Sequence, residues 1–229
     1  MPGFKTENKL QLRTFNTGTH ILHRASGKTK NVEVEKIPEP LNLEGSWSVK
    51  FQPERGAPAK AEFDQLISWD QHTDPGIRYF SGTAIYTLDF DVPQDYLNDN
   101  QEVWIDLGEI AVIAEVRLNG KDMGVLWNKP YRLEISNTLS PGTNTLEIDV
   151  TNLWVNRLIG DEQYPEDFER IEGKYLNKWP DWLNDVQQRP ESSRVSFATW
   201  KHWDKDDELL PSGLIGPVTL RCAKLTPVN

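Results

Sequence analysis

Residues 111–124 read AVIAEVRLNGKDMG, and this stretch decides the fold. Val112, Ala114, Val116 and Leu118 fall two apart, which puts them on one face of a β-strand. Asn119-Gly120 follows at once, and both residue types tolerate the positive φ angles of a two-residue hairpin turn. The same alternation recurs on either side. GTAIYTLDFDVP (82–93) aligns Ala84, Tyr86, Leu88, Phe90 and Val92, and QEVWIDLGEI (101–110) aligns Val103, Ile105 and Leu107. NTLEIDV (144–150) aligns Leu146, Ile148 and Val150, and RVSFATW (194–200) aligns Val195 and Phe197. No long apolar pattern of period 3.6 interrupts them. Pro141-Gly142 suits the middle of a type II turn, and Ser26-Gly27 separates two further strand-like runs. Many short strands joined by such turns predict an antiparallel, all-β sandwich.

Charge divides the chain. Residues 1–40 carry net +3 and the remainder −13, for a formal net charge of −10 over 229 residues. An acidic body is repelled by nucleic acid and by anionic membranes, so neither is expected as a partner. Pro38 and Pro40 in IPEPLNLEG disfavour continuous strand pairing where the composition changes. Residues 1–40 are therefore read as a small β appendage or linker from a preceding domain, and 41–229 as the main sandwich. Alternation fails over about 161–193, a polar, aromatic and Pro-containing loop with at most a short helix near Pro180. Irregular segments of that length are uncommon and often functional.

Cysteine and histidine usage narrows the chemistry. One cysteine, Cys222, excludes an internal disulfide and a CxxC metal site, and its strand-like setting predicts a buried, inert thiol. Four histidines without HExxH spacing argue against a zinc enzyme, and no metal site is assigned. Clustered Asp and Asn are compatible with a structural calcium ion, although no EF-hand pattern occurs. No apolar run approaches the roughly 20 residues that span a bilayer, and the first residues lack a signal peptide's apolar stretch. Two localisations fit: a cytoplasmic protein, or a piece of a longer, exported (periplasmic or extracellular) one.

The candidate site centres on TNLWVNRLIGDEQYP (151–165). Sugars stack their C–H faces on aromatic rings while polar side chains take the hydroxyls. On that chemistry the carbohydrate-binding candidates are Trp154, Asn156, Arg157, Asp161, Trp200, His202 and Trp203. The bland alternative is that the tryptophans close the ends of the sandwich and that Arg157 pairs with Asp161 to pin a loop. Carboxylates crowd 161–169 and 204–208, and glycoside hydrolysis commonly uses two of them. Proximity in sequence does not make them converge on one sugar, so no catalytic residue is assigned.

Three separated blocks carry a family resemblance: GIRYFSGTAIYTLDFDVP (76–93), VWIDLGEI through VNRLIGDE (103–162), and ATWKHWDKDDELLPSGLIGPVTL (198–220). Together they resemble the C-terminal region of glycoside hydrolase family 106 proteins, the α-L-rhamnosidases and their relatives. The portion from AEVRLNGKDMG to EIDVTN is also similar to the sugar-binding jelly-roll domain of family 2 glycosidases. The resemblance implies a galactose-binding-like jelly roll with a small N-terminal β appendage. It implies a parent enzyme that is exported, degrades rhamnose-containing plant polysaccharide, and keeps its catalytic carboxylates in a separate barrel domain. The chain alone is then not an enzyme. It would bind carbohydrate or brace the missing catalytic domain. A stand-alone lectin-like module is the alternative, and a complete small glycosidase a more remote one.

Overall fold

A computed structural model describes residues 10–184 and 188–228. The chain runs β1 (Gln11–Thr14), β2 (Gly18–His23), β3 (Thr29–Val34), β4 (Leu41–Asn42), β5 (Trp47–Phe51), β6 (Lys60–Phe63), α1 (Pro75–Arg78), β7 (Thr83–Val92), β8 (Gln101–Asp106), β9 (Glu109–Ala111), β10 (Ile113–Leu118), β11 (Lys121–Leu126), β12 (Arg132–Glu134), β13 (Gly142–Thr151), α2 (Val155–Asp161), β14 (Arg170–Ile171), β15 (Tyr175–Leu176), β16 (Gly213–Gly216) and β17 (Thr219–Pro227). Six strands form one sheet in the order β11-β10-β13-β7-β5-β6. Five form the other, β1-β17-β8-β12 with β4 against β17. All pairings within the two sheets are antiparallel.

The alternating residues of both sheets meet in one core. Ala84, Tyr86, Val116, Ile148 and Val150 come from the first sheet, and Val103, Ile105, Leu220 and Cys222 from the second. Each fully buried aliphatic side chain contributes on the order of 1.5–3 kcal/mol, which is why a period-two pattern suffices to place a strand. Asn119 (φ 53°) and Gly120 (φ 74°) make the β10–β11 turn, both in the left-handed region as a type I′ hairpin requires. Trp69 and Tyr86 stack with ring planes 4° apart, and Trp69 Nε1 donates to Tyr86 Oη at 2.5 Å. Gly213 (φ +90°) lies against this pair, and a Cβ there would come within 2.5 Å of the Trp69 ring.

The structure redraws several sequence boundaries. Residues 11–14, placed in the appendage, are an edge strand of the five-stranded sheet, paired from Gln11↔Pro227 to Thr14↔Lys224. Among the described residues of that segment only β2 and β3 make a separate hairpin, and its last residue, Val34, and Ile37 beyond it already reach the core. The strand expected over 194–200 does not form. That segment is irregular, and the irregular stretch extends to Ser212 instead of stopping at 193. The short β14–β15 ladder and a 3-10 turn at Asp181–Asn184 are its regular pieces among the described residues. The turn stands where a short helix was expected after Pro180. No helix is long and apolar enough to cross a membrane among the described residues.

Candidate functional site

β13 lies between β10 and β7 and delivers the chain to one end of the sandwich at Thr151. Asn152 fastens that exit. Its Nδ2 donates to Phe80 O at 2.8 Å, and its Oδ1 accepts the Gly82 N–H at 2.9 Å. Ser81 Oγ then donates to Leu153 O at 2.8 Å and accepts the Arg157 N–H at 3.1 Å. These bonds seat α2 on the segment before β7. Gly160 permits the contact, because a Cβ there would lie 2.5 Å from Tyr79 Cβ.

The sequence places Asn156, Arg157 and Asp161 in a loop. In the structure they belong to the helix α2, and all three are buried. Asn156 works as an anchor. It accepts the Leu210 N–H at 2.9 Å and donates to Leu210 O at 2.8 Å, so the returning segment is held as by a strand partner. Asp161 accepts the Val195 N–H at 3.0 Å, the Ser196 N–H at 2.7 Å and the Ser196 hydroxyl. Arg157 Nε stands 3.0 Å from Asp161 Oδ1, the pairing expected from the i, i+4 spacing. That Nε–H is not aligned for a hydrogen bond, however, and remains buried without a partner among the described residues.

The next residues order the long segment. Glu162 is 3.1 Å from Arg194 Nη1 and 3.5 Å from Lys201 Nζ. Arg194, itself buried, also donates to the carbonyls of Tyr164 and Pro165. Arg189 pairs with Asp167 at 2.8 Å and lies over the Trp182 ring. Arg170 pairs with Glu166 at 2.7 Å. Lys201 also meets Asp204 at 2.6 Å, which raises the ammonium pKa and lowers the carboxyl pKa. The sequence reading missed the arginines 189 and 194. Their signal was the run of carboxylates awaiting partners; Arg194 was masked by the strand-like alternation of 194–200.

The seven candidates separate into four places. Asp161, Trp200, His202 and Trp203 line one narrow cleft with Glu162, Arg194 and Lys201. Its free volume is about 20 Å³, roughly the room one water needs. Trp200 is half-exposed at the rim, edge-on to Tyr175 with ring centres 4.5 Å apart and stacked near His202. Trp154 is exposed, with the Arg55 guanidinium 4.7 Å above its ring. Asn156 borders a second small recess with Val112, Leu153, Leu210 and Pro211. Arg157 lines a wider groove of about 440 Å³ between Gly56–Pro58, Asp74–Gly76 and Tyr164. Among the described residues no group of three or more His, Cys, Asp and Glu side chains is arranged to hold a metal ion.

The sequence model described as glycosyl hydrolase 2 galactose-binding domain-like matches residues 70–215. A Formosa agariphila protein named "Putative beta-glucuronidase" is 49% identical over 203 residues, which cover 89% of this chain and 17% of that protein. Among solved structures, a rhamnosidase from Novosphingobium sp. PP1Y is similar with a TM-score of 0.65 and 30% identity, over 92% of this chain and 21% of its own. The β-D-glucuronidase of Dictyoglomus thermophilum is similar in fold, with a TM-score of 0.50 and 19% identity, over 84% of this chain and 29% of its own. The chain thus spans less than a third of each of these proteins. The galactose-binding-like sandwich expected from the sequence is the fold observed.

Proposed function

The chain belongs to the glycosyl hydrolase 2 galactose-binding domain-like family, and on that footing we propose that it is a non-catalytic accessory domain of a larger, α-L-rhamnosidase-like glycoside hydrolase of the family 106 kind. One observation carries the reading: 92% of this chain is similar to 21% of a rhamnosidase, at 30% identity. The carboxylates add support. Glycoside hydrolysis commonly uses two carboxyl groups set across one sugar. Asp161, Glu162, Glu166, Asp167 and Asp204 each face an arginine or lysine instead. In this reading the parent enzyme is exported and acts on rhamnose-containing plant polysaccharide, and the domain's partner is the catalytic domain.

Bracing draws support from the exposed apolar rim at the exit of β13. Leu153 is 53% exposed and Leu210 38%, and they flank one recess with Val112 and Pro211. A neighbouring domain laid there would take them out of water. A lectin-like role is favoured by a different feature, the half-exposed Trp200 and Tyr175 pair. The test is hydrolysis of an aryl α-L-rhamnoside by the purified chain. No turnover above the buffer blank is expected, and release of the aglycone would overturn the accessory role. Binding on a broad glycan array decides between the module and the brace.

A further inference from the structure

Arg157 is a buried guanidinium whose near partner, Asp161, stands at ion-pair distance without an aligned hydrogen bond. Its side chain is 4% exposed, yet none of its N–H groups makes an aligned hydrogen bond among the described residues. The contrast with its neighbours is sharp, since Arg189 and Arg194 each make three. The buried Nε is the donor left without an aligned acceptor, while the two terminal nitrogens make no hydrogen bond to another described residue and are free to donate to a ligand. Arg157 faces the 440 Å³ groove, a volume within the range of about 300–1,000 Å³ typical of small-molecule sites. Glycines leave room beside its terminal nitrogens. A Cβ on Gly56 would lie 3.0 Å from Nη1, and one on Gly160 2.5 Å from Nη2.

We propose that this groove binds an uncharged sugar ring, with Arg157 Nη1 and Nη2 donating to neighbouring ring hydroxyls. Charge favours a neutral ligand over an acidic one. Asp161 already neutralises Arg157 from behind, and Asp74 adds a carboxylate to the groove wall. An arriving anion would meet a net negative surface. Hydroxyls both donate and accept, and the lining offers both roles. Arg157 donates, while Asp74 has one oxygen on the Gly76 N–H at 2.7 Å and a second oxygen to offer. Tyr79 and Tyr164 supply aromatic surface along the same wall. The inference rests on the carbohydrate side of the proposed function and gives it a location away from the Trp200 cleft.

An NMR titration of the 229-residue chain with L-rhamnose, D-galactose and D-galacturonate tests it. The neutral sugars are expected to move the amide signals of Gly56, Gly76, Tyr79 and Val195 saturably, and galacturonate to bind more weakly. R157Q is expected to weaken binding about tenfold, the scale of a lost hydrogen bond from a charged donor. Should R157Q fail to fold, S193W serves: Ser193 is exposed on the groove rim, and a large ring there fills the space without entering the core. Loss of the shifts in a folded S193W supports the proposal. It is overturned if no neutral sugar moves these signals, if galacturonate binds more tightly, or if S193W binds as well as the parent chain. A groove that ignores sugars leaves the accessory role standing as a brace, whereas aryl-rhamnoside hydrolysis would overturn that role without touching the groove.

Discussion

Asp161 grips Ser196 through a single carboxylate oxygen: Oδ2 accepts the Ser196 backbone N–H at 2.7 Å and the Ser196 hydroxyl as well. The other oxygen takes the Val195 N–H and faces Arg157. One buried side chain therefore ties the end of α2 to a segment more than thirty residues on. Removing it strands a buried cation and two backbone donors together. D161A is expected to lose about 3–5 kcal/mol of stability, the usual cost of breaking a buried pair from one side. Urea unfolding followed by tryptophan fluorescence measures it. A change below about 1 kcal/mol would show that the Asp161 contacts do not hold this region.

Glu162 acts one residue later and on a different scale. It gathers Arg194 and Lys201, whose contacts lie in the long irregular segment outside the core. E162Q is expected to leave the urea midpoint nearly unchanged while speeding proteolytic cleavage within residues 162–212, because local opening draws on local contacts. Timed digestion with mapped fragments reads this. Cleavage at the parent rate would place the ordering of the segment elsewhere.

Tyr86 Oη accepts two buried N–H groups, from Trp69 Nε1 at 2.5 Å and from Leu214 at 3.2 Å. Y86F keeps the ring and strands both donors. The expected loss is about 1–3 kcal/mol for each unsatisfied group, partly relieved by relaxation. Equilibrium denaturation provides the number, and an unchanged midpoint would mean that the hydroxyl bears no weight in the core.

Alkaline pH should unfold the protein through three groups. Burial pushes the Cys222 thiol from its ordinary 9.0 up to about 12 and the Tyr96 phenol from 10.0 up to about 12, and it raises Tyr86 further. The unfolded chain releases these protons first. Their stabilising contribution is therefore complete below about pH 9 and disappears as pH rises from there toward the folded values. Unfolding midpoints measured from pH 7 to 11 are expected to be level up to about 9 and then to fall. C222A should flatten the earliest part of that fall, though its absolute stability is lower. A midpoint that rises above pH 9 would contradict the assignment.

The period-two runs were legible because each strand exposes one face and buries the other, and residue type records that difference directly. The β10–β11 turn was legible for a related reason, since Asn-Gly has few other conformational uses. The helix α2 was not legible. VNRLIGD has seven residues, includes Asn, Gly and Asp, and its stripe of Val155, Leu158 and Ile159 is too short to signal a helix; hydrogen bonds with Ser81, Leu210 and Val195 hold it in place. Val195 and Phe197 show the opposite failure. They alternate like a strand, but the neighbouring backbone N–H groups go to the Asp161 side chain instead of a sheet partner. The arrangement of the candidate residues was not legible. Sequence brought Arg157 and Asp161 together by spacing and Trp200 to Trp203 by proximity, but it carried no sign that Arg157 faces a different opening from the tryptophans.

The pairing of β1 with β17 has a mechanical consequence. Gln11 lies beside Pro227, and Val228 N–H donates to Leu10 O at 2.7 Å, so the two flanks of the sandwich emerge together at one corner. Tension applied through those flanks would load this antiparallel pair in peeling geometry. Its hydrogen bonds would then break one after another from the Leu10 end, where shear would have made them resist all at once. Pulled at both flanks, the sandwich would yield first at its hem, while the six-stranded sheet, which holds neither flank, would stay out of the line of force.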